Sequence, residues 1–404
     1  MTNISFENTE IAFEYKTNRE LKKAKFLFST MSKSWLVKLG TKLTPWIIKA
    51  RLPVNTLIRK TIFAQFVGGE TLSQTSNVVN KLDPFNVQVI LDYGVEGKEG
   101  EENFDHATSE FIRVIEYAAT QPHVPFVSLK LTGLARFALL EKLHAASRYS
   151  DTINGTVGTG ELDESEKQEW QKVVVRLEKI CKTATESSTG VLIDAEESWI
   201  QDPVDALAMQ MMQKFNIVEP VVYNTVQLYR HGRLQFLKDS YEASKRNNYL
   251  LAVKPVRGAY MEKERKRASL LNYESPIQPD KLHTDADYNA ALEFCIGHIS
   301  DIFIIVASHN EVSNLYATDL MEKNHILPGN NHILFSQLYG MSDNITFNLA
   351  KAGFNASKYL PFGPIKDVIP YLMRRAQENS SVSGQTGREL GLIKKEMVRR
   401  EKGK

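Results

Sequence analysis

Tyr359-Leu-Pro-Phe-Gly-Pro-Ile-Lys-Asp-Val-Ile-Pro-Tyr-Leu-Met-Arg-Arg-Ala-Gln-Glu-Asn379 joins a short β-rich run to a helical one across a Gly/Pro turn. The strand ends at Pro361 and the helix begins near Lys366, which is one β/α unit. On the helix Tyr371, Arg374, Arg375 and Glu378 fall at i, i+3, i+4 and i+7, a single face. Such a stripe is ordinarily apolar and faces a core. Here two adjacent guanidinium groups can clamp one carboxylate, Glu378 can hold one of them in place, and Tyr371 can wall an apolar ring. A receptor for a small amino or carboxylic acid is one reading. A solvated helix with i,i+4 ion pairs is the other.

Seven further β-rich runs precede this unit: Val87–Asp92, Phe126–Leu131, Val191–Asp194, Val221–Leu228, Leu250–Val256, Ile302–Ala307 and Ile333–Leu338. Between them lie the helix-like stretches Asn103–Thr120, Leu134–His144, Glu164–Thr185, Pro203–Phe215, Arg233–Arg246, Ala286–Ile299, Val312–Lys323 and Asp343–Ala352. Eight alternating units predict an α/β fold, a parallel (βα)8 TIM barrel, with a doubly wound open sheet as competitor. The expected domains are a basic helical region 1–84, a catalytic barrel 85–387 and a charged tail 388–404, the tail read as a frayed helix. Arg148–Asp163 reads as a loop, and its Gly155-Thr-Val-Gly158-Thr-Gly160 follows no strand, so it is rejected as a nucleotide loop.

The chain has 404 residues, 42% hydrophobic and 24% charged, with a net charge of +2. That is enough to bury a large core, and nothing global points to nucleic acid. Cys181 and Cys295 lack metal or CxxC spacing and read as reduced core thiols. No apolar run reaches the roughly 18 residues of a membrane span, and Met1–Glu20 resembles neither a signal nor a transit peptide. A cytoplasmic protein, touching a membrane from its inner face, is the expectation. From Leu21 to Gly69 there is no Asp or Glu, while ten Lys and Arg residues are interleaved with Trp35, Trp46 and aliphatic residues. Such a segment suits an anionic membrane surface, or packs on its own catalytic domain with its lysines in water.

In a barrel, chemistry gathers at the C-terminal strand ends. There stand Lys130, the carboxylates Asp194, Glu196 and Glu197, then Asn224 with Gln227, Lys254 with Arg257, Gly258 and Tyr260, Ser308-His309-Asn310, and Gln337 to Met341. Each could be structural: a buried Lys–Asp pair, or a capped helix start at Ser308–Asn310. No HExxH is present and the nine histidines are scattered, so no catalytic metal is expected. Asp285-Ala-Asp287-Tyr-Asn289 imitates a calcium loop but has Ala290 and Ile296 where Gly and Glu are needed. With no obvious nucleophile, the cations suit an anionic ligand or a cofactor whose reduced form is anionic, such as a flavin.

Taken together, SLKLTGL, LIDAEES, TVQLY, VKPVRGAY, KLHTDADY, ASHN, QLYGM, YLPFG and YLMRRAQEN, in this order over roughly Leu91–Asn379, resemble the proline dehydrogenase family. The chain looks more like its monofunctional branch than the bifunctional proline-utilisation flavoenzymes. The resemblance implies a distorted barrel holding FAD, oxidising L-proline to Δ1-pyrroline-5-carboxylate by hydride transfer to flavin N5, with a membrane quinone as electron acceptor. Pyrroline-5-carboxylate dehydrogenase would be the enzyme to which the product could pass. If the source is eukaryotic, the location implied is mitochondrial. Carried across by motif, Arg374 and Arg375 pair with the proline carboxylate and Glu378 braces them. Tyr359, Tyr371, Tyr260 and Leu338 wall the ring, and Lys130 and Asp194 complete the polar side. Gln227, Lys254, Arg257, Gly258, Ala259, Thr284, His309 and Asn310 match positions that hold FAD. A hydroxyproline dehydrogenase is the nearest rival, disfavoured by Tyr359, where hydroxyproline-preferring relatives tend to carry a smaller residue. Another flavin barrel such as a folate reductase, or an inactive membrane-binding scaffold, are further alternatives. No general base is evident, and solvent or a water chain is the expected proton acceptor.

Overall fold

The computed structural model describes residues 4–32, 58–94, 99–381 and 383–403, without the side chains of 376–381 and 383–385. Eight strands, β1 (Val87–Tyr93), β2 (Phe126–Leu129), β3 (Gly190–Ile193), β4 (Val222–Gln227), β5 (Leu251–Val256), β6 (Ile302–Ala307), β7 (Ile333–Leu338) and β8 (Ala356–Phe362), follow one another round a closed parallel barrel. Strands covered by helices on one side and filled by side chains on the other lose their polar alternation, and every residue of β4 is buried. The barrel reading stands. The bounds of β6 and β7 are as expected, whereas β2 stops at Leu129, and Leu131–Gly133 turns as a short 3-10 helix. β8 starts three residues before Tyr359 and pairs along its length with β1, from Val87 opposite Ala356 to Tyr93 opposite Phe362.

The chain divides into two compact units, Val95–Ser336 and the discontinuous Met1–Gly94 with Gln337–Lys404. In Val95–Ser336, helices alternate with strands. The helix Glu164–Glu186 starts where Asp163 and Glu166 form a reciprocal capping box. Its apolar face buries Val173, Leu177 and Ile180. The helix Ser198–Phe215 begins earlier than Pro203, which lies in its second turn, where proline cannot donate to the Trp199 carbonyl. Arg148–Asp163 is a loop that contains one short helix, Tyr149–Ile153. Cys181 and Cys295 are both buried and unbridged.

In the discontinuous unit, the helices Thr9–Phe13, Asn18–Met31, Ile365–Ser381 and Ser383–Lys402 share one apolar cluster that includes Phe13, Leu21, Phe28, Phe66, Leu372 and Ile393. The tail is therefore no frayed helix: Leu392 and Ile393 are buried, and the buried Glu396 accepts from Arg399 and Arg400 at 2.8 and 2.7 Å. Arg400 donates onward to the carbonyls of Phe13 and Lys16, both at 2.8 Å, which satisfies backbone groups near a helix end. The helix Asn18–Met31 opens with a Thr17/Glu20 capping box and buries Leu21, Ala24, Phe28 and Met31, leaving Lys22 and Lys23 exposed. Most of the basic segment beyond it, residues 33–57 with Trp35 and Trp46, lies outside the described residues.

A charged network crosses this unit. Asp343, 2% exposed, accepts from the Tyr15 hydroxyl and Lys16 Nζ at 2.8 Å each. Its other oxygen lies 2.9 Å from Nζ of Lys358, which is fully buried in β8. Burial alone would raise the Asp343 carboxyl, but Lys16 and Lys358 hold it well below the usual carboxylate range. Past β7, Gly340 has φ +82°, and a Cβ there would stand 2.1 Å from the Gln65 carbonyl oxygen, so only glycine fits.

Candidate active site

Within Val95–Ser336 the ends of β2 to β6 carry a connected polar group. Lys254, 5% exposed on β5, is ion-paired with Asp194, the residue that follows β3. Lys254 is buried and Asp194 half-buried, so removing either partner would leave a poorly solvated charge. Lys130 follows β2, and its charge acts on Glu196. Glu196 is 4% exposed and accepts from the Thr132 hydroxyl at 2.6 Å and its backbone N–H at 3.1 Å. Burial pushes the Glu196 carboxyl up to about 7, against the opposing pull of Lys130 and Thr132.

Gln227 closes β4. Its Nε2 donates to the Glu196 carbonyl at 2.7 Å and to the Tyr229 hydroxyl at 2.9 Å, while its Oε1 accepts from Arg230 Nη1 at 2.7 Å. The amide is thereby fixed in one orientation. Burial, reinforced by the charge of Arg233, holds the Arg230 guanidinium below its ordinary value, and Arg230 Nε is buried with no protein partner among the described residues. After β5, Arg257 is ion-paired with Asp285, donates to Ser313 Oγ at 2.5 Å and stacks 3.9 Å from the Tyr288 ring centre. Arg257 Nε is likewise buried without a protein partner. Gly258 follows at φ +83°, a conformation that exposes backbone to close approach, with Ala259 exposed beside it and Tyr260 at the start of the helix Met261–Leu271.

Thr284 lies in the helix Lys281–Gly297 and is buried, its hydroxyl donating to the Asp280 carbonyl at 3.2 Å. Asn310 caps the helix Glu311–Lys323, its side chain accepting from Ser313 N–H at 3.2 Å, with His309 half-buried before it. The calcium-like Asp285–Asn289 stretch is helical. Asp285 is held by Arg257 and Lys281, Asp287 accepts from Gln278 and Asn289 from Ser313. Among the described residues no cluster could hold a metal ion.

Within the discontinuous unit, Leu338 ends β7 and is half-buried. Tyr359 is a half-buried residue of β8, and its carbonyl accepts from Tyr339 N–H at 2.9 Å. Tyr371, 9% exposed, belongs to the apolar cluster of the helix Ile365–Ser381, which starts one residue before Lys366. The Arg375 guanidinium lies 5.3 Å from its ring centre, so Tyr371 and Arg375 share a helix face, with Arg374 half-buried beside them. The Glu378 side chain lies outside the described residues.

Sequence reasoning did not single out Arg230 or Ser313, met Asp285 and Tyr288 only within the rejected calcium-like stretch, and noted Glu196 only as one of three neighbouring carboxylates. A run of Gln-Leu-Tyr-Arg at a strand end carried the signal for Arg230, but its burial did not show. Because Glu196 is an acid whose folded pKa is raised, its effect on stability is fully favourable below the ordinary 4.5 and is lost as pH rises through about 7. Glu196→Gln keeps the acceptor oxygen, and Thr132 can turn its hydroxyl to the new amide. The variant is expected to be roughly 2–3 kcal/mol more stable than wild type at pH 8 and equal to it at pH 4. Urea unfolding at the two pH values checks this, and an equal difference at both would refute it.

A family model described as proline dehydrogenase matches residues 75–388. The chain is 33% identical over 379 residues to mitochondrial proline dehydrogenase 1 of Dictyostelium discoideum, covering 86% of this chain and 66% of that protein. It is 31% identical over 416 residues to a hydroxyproline dehydrogenase of Xenopus laevis, covering 96% and 88%. Among solved structures, proline utilization A from Bdellovibrio bacteriovorus, inactivated by N-propargylglycine, superposes with a TM-score of 0.69 at 19% identity. That match covers 92% of this chain and 38% of the other, a likeness of fold.

Proposed function

The chain belongs to the proline dehydrogenase family, and from that premise we propose that it oxidises L-proline to Δ1-pyrroline-5-carboxylate with bound FAD. The observation that carries the cofactor is the donor set at the ends of β4 and β5. Arg230 and Arg257 each keep a buried Nε without a protein partner among the described residues, and the same strand ends carry a buried Lys254, a fixed Gln227 amide and the open backbone of Gly258. Half-buried arginines with buried, unspent Nε donors, together with the buried Lys254, suit a diphosphate and an electron-rich ring, so these residues fit FAD. Gln227, Lys254, Arg257, Gly258 and Ala259 would hold it, with Thr284, His309 and Asn310 completing the site through the faces their own hydrogen bonds leave open. When bound, the flavin supplies a hydride acceptor at N5.

Arg374 and Arg375 orient the proline carboxylate, and Glu378 braces the pair. Tyr371, Leu338, Tyr359 and Tyr260 supply apolar walls, which disfavour the charged ammonium form so that the ring nitrogen sheds its proton before C5 is oxidised. A water chain accepts that proton. Lys130 and Asp194 set the polar side, with Lys254 ion-paired to Asp194. Electrons pass on to a membrane quinone, which brings the protein to a bilayer surface as a peripheral contact. Among the described residues no helix is long and apolar enough to cross it.

Hydroxyproline is the second reading, raised by the Xenopus relative. Tyr359 argues against it, since its ring leaves less room for a ring hydroxyl. An absorbance spectrum of the purified protein, taken without oxygen before and after adding each amino acid, decides between them. The expected result is a visible flavin band that L-proline bleaches and hydroxyproline leaves intact. A protein that stays colourless after FAD is supplied overturns the reading.

A further inference from the structure

A cleft of about 430 Å³ lies in the discontinuous unit, lined by the helix Asn18–Met31, the turns Arg59–Phe63 and Ala64–Phe66, Lys81, and the Tyr339–Gly340 corner. Its lining holds six cations, Lys16, Arg19, Lys22, Lys23, Lys60 and Lys81, and a single carboxylate, Glu20. Glu20 is already bonded to Lys81 at 2.5 Å and to the Thr17 cap, and Lys16 is held by Asp343. Arg19, Lys22, Lys23 and Lys60 pair with no carboxylate among the described residues. Four like charges round one concavity repel each other unless an anion enters, and a concave wall focuses their field.

The same cleft has an apolar edge. Leu27 and Ala64 line it, and Phe26 stands 69% exposed one turn beyond Lys22 and Lys23. The buried face of that helix is supplied by Leu21, Ala24, Phe28 and Met31, so Phe26 is not needed for packing. Cations ringing a polar hollow with an exposed aromatic ring beside them match an amphiphile with a phosphate head and a hydrocarbon body.

We propose that this cleft takes the phosphate headgroup of an anionic phospholipid, with Phe26 entering the acyl boundary beside it. The assignment rests on the membrane contact proposed above and is independent of the proline chemistry. It also places the bilayer against a corner that reports to the substrate wall. Gln65 Nε2 donates to the Gly340 carbonyl at 2.7 Å, and the adjoining Tyr339 N–H donates to Tyr359.

Flotation of the full chain with mixed phosphatidylglycerol/phosphatidylcholine vesicles, and with phosphatidylcholine alone, tests it. The triple variant Lys22→Glu, Lys23→Glu, Lys60→Glu is expected to bind the anionic vesicles about a hundredfold more weakly, at roughly 1 kcal/mol for each basic residue. Phe26→Ser, which cannot disturb the core, is expected to weaken binding while leaving the preference for anionic lipid intact. Proline-dependent bleaching of the same samples is expected to be unchanged, which separates a failure of this site from a failure of the enzymatic reading. Wild-type binding by the triple variant would show that another segment meets the bilayer and would overturn the proposal. So would sn-glycerol 3-phosphate displacing the protein from vesicles at the lipid's own concentration, since the occupant would then be a soluble phosphate ester.

Discussion

Asp343→Ala is expected to destabilise the protein by about 3–5 kcal/mol, the cost of leaving a buried charge without its partner. Lys358 is fully buried in the middle of a strand, and its ammonium has only the Asp343 carboxylate and the Met341 carbonyl, at 2.5 Å, as acceptors among the hydrogen bonds and ion pairs described. Removing the carboxylate also strips Tyr15 and Lys16 of their acceptor. Urea denaturation measures the loss, and a change below about 1 kcal/mol would show that Lys358 sheds its proton cheaply instead. Lys358→Met added to Asp343→Ala is expected to recover part of the loss, because the pair is then absent rather than broken. The sign with pH follows from the depressed carboxyl. Its stabilisation is complete above the ordinary 3.8 and is lost as pH falls below it, so the alanine variant and wild type converge only in strong acid.

Arg375→Met is expected to lower kcat/KM for L-proline by about 10²–10³, with bound flavin unchanged. A charge-assisted hydrogen bond contributes about 1.5–3 kcal/mol, and a guanidinium can make two of them to one carboxylate. Tyr371 lies under Arg375, so the ring that would wall the substrate also fixes where the fork points. Arg375→Lys keeps the charge and loses the planar fork, and is expected to recover only part of the activity. Steady-state kinetics, with flavin content read from the visible spectrum, checks both variants. Unchanged kcat and KM in the methionine variant would remove Arg375 from substrate recognition.

The barrel was legible because its strands are written locally. Ile302–Ala307 is an apolar run and Ile333–Leu338 a β-rich one, and the structure ends both where the sequence does. β8 was read too short because Ala356-Ser-Lys358 looks like a loop until the distant Asp343 neutralises the lysine. The tail misled for the same reason. Its charges hide Leu392 and Ile393, and the residues that cover them lie more than three hundred positions away. In the candidate site, strand-end lysines and arginines stood out by type. Burial was invisible: Glu196 and Glu197 are both nearly inaccessible, and it is the Nε of Arg230 that is buried.

The discontinuity of one unit has a consequence for biosynthesis. Phe13, Leu21 and Phe28 leave the ribosome long before Leu372 and Ile393, which belong to the same apolar cluster, whereas Val95–Ser336 is one uninterrupted stretch of chain. At about 5–20 residues per second, the first ninety or so residues wait tens of seconds with that apolar surface uncovered. During this interval the amphipathic helix Asn18–Met31, with Lys22, Lys23 and Phe26 on its outer side, has its greasy face open to chaperones or to a bilayer. The nascent chain is therefore most prone to aggregation, and most exposed to capture, before the helix Ser383–Lys402 is made.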